Sequence, residues 1–396
     1  MTWHRDTDDY NRMPTPVPTP RVLVVGAGPV GLSLAWRLCQ AGLPVSVFEA
    51  EPAISDQLRA STFHPPTLDL FEADGITAEL VAAGRITAQW QIRQQDGGER
   101  VVFDLAAIAA HTRHPYRLQC RQARLCEALL RRLPPGTVQF SAKVTAVGQS
   151  VDGVWLEQRG QRIDGTWLVG CDGARSLVRE AIGARFSGET YPEQTILATT
   201  HLPFENHLQG LSGVNYILAG RQHLLAVAPA RRVADLTAPA RRGIGRAGAD
   251  RCRDRRAHRT DRARRPADRD HREADLPGAS AHRRPILRRP PGAGRRLGHL
   301  NSPKGGMGMN GGIHDAINLA DKLVQAAAGA ELPALLARYQ RQRLPIAAEE
   351  ILAQADANRR RMNTRDPAER AAHLAGLQAI AADPTRAREP SCSGHR

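Results

Sequence analysis

The stretch RVLVVGAGPVGLSLAWRLCQAGLPVSVFEAEP, Arg21 to Pro52, decides the fold. Val22–Val25 is a short continuous apolar run, the pattern of a parallel strand buried on both faces. Gly26, Gly28 and Gly31 follow at once, and Leu32, Leu34, Ala35 and Leu38 then recur at helical spacing. Gly42 punctuates the helix end. Val45–Phe48 reads as the next strand, with Glu49 at its close. Three glycines in this spacing are weak evidence by themselves. Between a strand and a helix, with an acid after the second strand, they form a dinucleotide fingerprint. Gly26 permits the tight turn, Gly28 lets backbone approach a pyrophosphate, and Gly31 lets helix and strand pack closely. Pro29 and Val30 complete the turn, whose helix N-terminus offers N–H groups and partial positive charge to phosphate. Glu49 is placed to accept hydrogen bonds from ribose hydroxyls.

Working outward, Trp167–Cys171 reads as another short strand leading into DGARSLVREAIG. Gln122–Leu133 reads as an amphipathic helix. Val138–Val147, Val154–Gln158 and Leu224–Ala228 read as strands, and Leu332–Gln342 as a helix. Ile313, Ala316, Ile317, Ala320, Leu323 and Val324 mark the buried stripe of a helix that follows a Gly-rich turn. The first twenty residues read as a disordered Pro/Thr tail without signal-peptide anatomy. No apolar run approaches the roughly 20 residues of a membrane span. The six cysteines form no CxxC pair and no His/Cys cluster at metal spacing, so no metal is expected and the thiols are read as those of a reduced, cytoplasmic protein.

Together LVGCDGARSLVREAIG (Leu168–Gly183), HLNSPKGGMGMNGGIHDAINLADKL (His299–Leu323), LRASTFHPPTLDLFEADGI (Leu58–Ile76) and YRLQCRQARLCEALL (Tyr116–Leu130) resemble the FAD-dependent aromatic hydroxylases. These are the single-component flavoprotein monooxygenases related to p-hydroxybenzoate hydroxylase. The likeness covers residues 21–230 and 299–385. It implies an α/β protein, with a Rossmann-like FAD-binding domain interleaved with a β-sheet substrate domain. The FAD domain would take residues 21–185 with 299–345, residues 80–115 lending strands to the substrate domain of residues 186–298. A helical segment, 346–396, would close the chain. The resemblance further implies FAD, with NADH or NADPH as transient reductant and O₂ as co-substrate. Oxygen would pass through a flavin C4a-hydroperoxide to a small phenolic or polyketide-like aromatic. By the same resemblance Arg59 and Gln122 would contact FAD, and Asp172 and Gly173 would lie near its pyrophosphate and ribose. Pro303, Gly305, Gly306, Gly308, Met309 and Asn310 would approach the isoalloxazine ring. No acid or base can be named. His64, His111 and His114 read as structural or solvated, and Met307 and Met309 as turn packing.

The stretch GRRLGHLNSPKGG breaks this reading in mid-motif. Residues 231–300 hold 21 arginines, no lysine, 8 acidic residues and no aromatic ring, so most of the chain's +15 net charge lies there. No helical or strand period of apolar residues runs through them. In the resembled family the block before the Gly-rich turn is a strand followed by Gly-Asp-Ala/Ser-Ala-His, whose Asp binds the ribityl chain. Here His299 is preceded by Arg295–Gly298, RRLG. Written CGG CGA CTC GGC, that peptide contains GGC GAC TCG GC in the shifted frame: Gly-Asp-Ser and the start of Ala. The same shift through PPGAG permits Arg-Arg-Val-Leu-Ala. RVADLTA (Arg232–Ala238) permits Gly/Glu-Trp-Arg-Ile-Ser-Leu, an ordinary strand. A compensating pair of frameshifts, near residues 225–232 and at 298/299, would therefore account for the segment. Residues 231–298 would be out-of-frame translation of GC-rich DNA, with a further slip after about Glu389. The chain as written is then expected to fold its substrate domain poorly and to hold FAD weakly. Two rival readings are a flavoprotein that does not hydroxylate and a nucleic-acid-binding Arg-rich insertion. The second lacks interleaved stacking aromatics and an organised helical face. Oligomeric state is not legible.

Overall fold

In the computed structural model the described residues are 19–57, 60–94, 100–150, 153–183, 188–200, 203–219, 222–227, 232–239, 273–283, 298–300, 307–346, 364 and 366–383. The chain opens with β1 (Val22–Val25), α1 (Pro29–Gln40) and β2 (Val45–Phe48), the bounds that the apolar run and the glycines predict. β3 (Thr62–Phe63), α2 (Pro65–Leu70), α3 (Ile76–Ala83), β4 (Arg85–Thr87), β5 (Gln89–Gln94) and β6 (Arg100–Asp104) follow. Then come β7 (Arg117–Gln119), α4 (Gln122–Arg132), β8 (Val138–Gln139), β9 (Val144–Gln149), β10 (Val154–Gln158), β11 (Gln161–Gly165), β12 (Trp167–Gly170) and α5 (Leu177–Ala181). The remainder comprises β13 (Gly188–Thr200), β14 (Val214–Ala219), β15 (Gln222–Val227), β16 (Arg232–Pro239), β17 (Glu273–Arg283), β18 (Gly298–Leu300), α6 (Met307–Ala327), α7 (Leu332–Pro345) and α8 (Pro367–Ala382).

A parallel sheet in the order β12-β1-β2-β8 forms the centre of the nucleotide-binding part. Its strands are buried on both faces, which explains their unbroken apolar run. Val22 and Val24 face the helices α1, α4, α6 and α7, in the cluster that also holds Leu34, Leu38, Leu129, Ile313, Leu323 and Tyr339. Leu23 and Val25 face the opposite way, onto Val144, Val154 and Leu156 of the antiparallel sheet β11-β10-β9. Arg159 and Gly160 join β10 to β11 with positive φ, 51° and 73°, the backbone of a type I′ hairpin.

The single strand read over Val138–Val147 is two. β8 pairs with β2, whereas β9 pairs with β10 in a different sheet. The chain turns between them at Ser141, whose φ of 52° no continuing strand tolerates. The apolar pattern is the same on both sides of that corner, so the sequence alone reads through it.

The largest sheet has eight strands in the order β18-β17-β13-β16-β15-β14-β5-β6. Its β5 and β6 come from the stretch before α4. On one face Ile92, Val101, Phe103 and Leu218 pack against Leu374 and Leu377 of α8. Arg117 of β7 lies 4.7 Å over the Trp90 ring of β5, and Trp90 stacks on Phe103 at 4.2 Å. These contacts tie the small sheet β3-β7-β4 to the large one.

Two strands, β16 and β17, fall where the sequence shows no strand period. Both pair with β13, antiparallel. A ladder is made of main-chain hydrogen bonds, which any residue except proline can supply, so apolar alternation is not required for pairing. Pro277 of β17 sits beside the register shift between Thr190 and Gln194, in a strand with neighbours on both sides. Proline in such a place removes a ladder donor and is ordinarily confined to edges or bulges. Residues 240–272 and 284–297 lie outside the described residues.

Candidate flavin-nucleotide site

Three strand ends converge. β1 ends at the glycine turn, β2 at Glu49 and β12 at Cys171-Asp172-Gly173. All three are carboxyl ends of neighbouring parallel strands, where open α/β sheets bind ligands. The Cys171 amide donates to Val25 O at 2.7 Å and the Gly26 amide to Phe48 O at 2.8 Å, so the three turns are fixed to one another by backbone.

Each glycine of the turn has its own reason. Gly26 has φ +102°, and a Cβ there would lie 2.5 Å from Cys171 O. A Cβ on Gly31 would lie 2.0 Å from Gly26 O, so the helix can sit this close to the turn only without a side chain. A Cβ on Gly28 would meet nothing within 4 Å. Gly28 borders open space at the N-terminus of α1, which Pro29 begins and no side chain caps. Uncapped N–H groups with a positive dipole end, facing open space, fit a phosphate.

The acidic residues complete the seat. Glu49 uses both carboxylate oxygens to brace it: Oε2 accepts from Ala27 N at 2.7 Å and Oε1 from Glu51 N at 3.0 Å. A carboxylate has about four acceptor positions, so ribose hydroxyls can still be received. Asp172 Oδ2 accepts from Val178 N at 3.2 Å, while its Oδ1 is buried without a hydrogen-bond partner among the described residues. A buried carboxylate oxygen left unpaired is costly, and a ligand hydroxyl would remove the cost. The residues present therefore fit the nucleotide half of FAD. Gly173 follows with φ +70° and no obstruction around it. Burial pushes the Cys171 thiol well above the ordinary range, so this cysteine beside the turn is no nucleophile.

The other expected residues divide. Gln122 opens α4, and its amide donates to Ala60 O at 3.1 Å. Arg59, Pro303, Gly305 and Gly306 lie outside the described residues. Gly308, Met309 and Asn310 were read as part of a turn before the helix. They form the first turn of α6, which begins at Met307. Met309 joins the core, and Gly312 packs directly on Val30 of α1, where a Cβ would come within 2.7 Å of Val30 Cγ2. The apolar stripe from Ile313 marks only where the helix becomes buried.

His114 is engaged through its ring, His64 and His111 through their backbone amides. The His64 amide donates to Asn310 Oδ1 at 3.0 Å. His114 Nδ1 lies 2.8 Å from Asp69 Oδ1, and Thr112 Oγ1 donates to the same carboxylate at 2.8 Å. With Glu72, Asp69 and His114 bring their ligand atoms within 4.8 Å of one another. This cluster holds one histidine and two acids, a composition that His/Cys spacing does not reveal.

Set beside known proteins, residues 19–289 and 297–354 match the FAD binding domain family. Para-nitrophenol 4-monooxygenase of Pseudomonas sp. strain WBC-3 is 29% identical over 364 residues, spanning 88% of this chain and 89% of that protein. The 12-dehydrotetracycline 5-monooxygenase/anhydrotetracycline 6-monooxygenase of Streptomyces rimosus subsp. rimosus is 31% identical over 355 residues, 83% of this chain and 67% of that one. The crystal structure of p-nitrophenol 4-monooxygenase from Pseudomonas putida DLL-E4 superposes with a TM-score of 0.79 at 27% identity, covering 95% of this chain and 98% of that chain. With its mixed α/β architecture and a glycine turn built for the nucleotide, the chain belongs to the FAD-binding-domain family of flavin-dependent monooxygenases.

Proposed function

We propose that this fold serves hydroxylation of a small phenolic or polyketide-like aromatic with NADH or NADPH and O₂. The observation that carries the reading is the near full-length likeness to a para-nitrophenol monooxygenase, joined to an open nucleotide seat with an unpaired carboxylate oxygen. When bound, FAD supplies electron transfer and oxygen activation, and the protein positions and shields it. The chain's own residues do the holding. The N–H groups at the start of α1 would receive the pyrophosphate, Glu49 and Asp172 ribose or ribityl hydroxyls, and Arg59, Gln122 and Gly173 the flanks of the nucleotide. Pro303, Gly305, Gly306 and the first turn of α6 would meet the ring, where a helix N-terminus favours negative charge on a reduced flavin. Oxygen uptake with a panel of phenols, with ¹⁸O₂ label followed into product, tests the reading. Uptake that depends on substrate and places label in the ring supports it. Substrate turnover without label marks a flavoprotein oxidoreductase that does not hydroxylate.

The same reading extends to residues 231–298, which we assign to out-of-frame translation of a substrate-domain segment. The assignment rests on composition, 21 arginines with no lysine and no Phe, Trp or Tyr in residues 231–300, and on the break in the family match at residues 290–296 just before His299; the match itself runs through residues 231–289. The written chain then lacks much of its pocket, and poor substrate-domain folding and weak FAD retention follow. A functional Arg-rich arm would instead give salt-sensitive nucleic-acid binding that is lost when residues 231–298 are deleted.

A further inference from the structure

The carboxamide of Asn310 is buried between α6 and the strand β3. Its Nδ2 donates to Thr62 O at 2.9 Å, and its Oδ1 accepts from His64 N at 3.0 Å. One carboxamide thus binds the carbonyl of one residue and the amide of the residue two further on. A residue in a parallel strand makes that same pair of bonds with its own N–H and C=O. Four residues along the same helix face, His314 Nε2 lies 3.2 Å from Thr67 Oγ1 of α2, a fully buried threonine. The segment so held is gripped from its other side as well, because Cys120 N donates to Ser61 O at 2.8 Å and Gln122 N to Ala60 O at 3.1 Å.

We propose that Asn310 is a positioning residue for the flavin seat. Resting on the flavin reading above, the assignment makes its side chain the fastener that sets the first turn of α6 against residues 60–64. The first turn of α6 is expected to meet the isoalloxazine ring. Residues 60–64 adjoin Arg59 and the start of α4 includes Gln122, both expected to contact FAD elsewhere. Fixing the first turn of α6 to residues 60–64 by side chain to backbone makes their spacing independent of which side chains occupy positions 62 and 64. Sequence reading placed Asn310 among direct flavin contacts. The geometry gives it a second task, one that requires both a donor and an acceptor on the same planar group.

That requirement supplies the test. The variant N310D keeps the shape and the acceptor but, once ionised, cannot donate to Thr62 O. Protonated, the new carboxyl can. FAD affinity of the full-length chain, measured by quenching of flavin fluorescence, is expected to fall about tenfold in N310D at pH 8. It should recover as pH is lowered towards 5.5, while the wild-type chain shows no such recovery. T67V, which removes the second tie without adding charge, is expected to weaken FAD binding a fewfold. In N310A, hydrogen exchange at the His64 amide of the FAD-free chain should quicken at least tenfold. A His64 amide exchanging at the wild-type rate in N310A overturns the clamp, as does undiminished FAD affinity in both N310D and T67V. A chain that binds no FAD in any form contradicts the flavin reading instead, and the exchange rate of His64 still decides the clamp.

Discussion

Gly31 is the residue at which the nucleotide seat is least forgiving. Its missing Cβ would lie 2.0 Å from the Gly26 carbonyl, a backbone atom that cannot swing aside. Gly31→Ala is expected to push α1 off the turn and reduce FAD affinity at least a hundredfold, read by flavin-fluorescence titration. Gly28→Ala is gentler on the fold, since open space surrounds that position, and is expected to weaken FAD by obstructing the approach of phosphate. Asp172→Ala removes a carboxylate that is satisfied at only one oxygen among the described residues. FAD affinity should fall by roughly tenfold or more, about 1.4 kcal/mol per decade, while the melting temperature of the FAD-free chain changes little. A drop in melting temperature with unchanged FAD affinity would assign Asp172 to capping α5 alone. At this scale the sequence was most legible. Glycine spacing, strand context and a terminal acid are local, and each carries its own steric or charge reason. The Asp69–His114 pair was illegible, because its partners meet only after β7 and α2 are folded together.

Between elements, the ion pair Arg343–Asp315 joins α7 to α6 at 2.6 Å, with both side chains under a tenth exposed. Removing one partner leaves an uncompensated buried charge, which typically costs about 3–5 kcal/mol. Arg343→Met should therefore lower thermal stability sharply. The double variant with Asp315→Leu should recover much of the loss, a pattern that a melting-temperature cycle reads directly. Glu79 makes a different tie, from α3 to α4. The Arg132 guanidinium first, and Arg131 with it, hold its carboxyl below the ordinary 4.5. A depressed folded value gives stability that is present above 4.5 and lost as pH falls through the folded value. Replacing Glu79 by Gln should remove that increment at neutral pH, a small one for so exposed a carboxylate, so that the two melting-temperature–pH curves converge as pH falls through the folded value. Elements with a strong period were readable from sequence, as Val22–Val25 and Gln122–Arg132 illustrate. The corner at Ser141 and the early start of α6 were not. One depends on a single backbone angle, and the other lies in glycine-rich sequence ahead of the apolar stripe that marks the helix.

Over the whole sequence, the net charge is unevenly spread. The nucleotide-binding part has buried strands and a continuous core, while most of the net positive charge is crowded into residues 231–300. A substrate-domain strand that pairs by backbone but carries out-of-frame side chains loses its apolar burial, about 25 cal/mol per Å². A marginal stability of about 5–15 kcal/mol does not survive the loss of much of a layer. The measurement that tests this most directly is the FAD-to-protein ratio after purification, taken on the chain as written and on one in which the shifted frame of residues 231–298 is restored. The account predicts near-stoichiometric FAD in the restored chain and far less in the written one. Equal, stoichiometric FAD in both chains, or none in the restored chain, would contradict it.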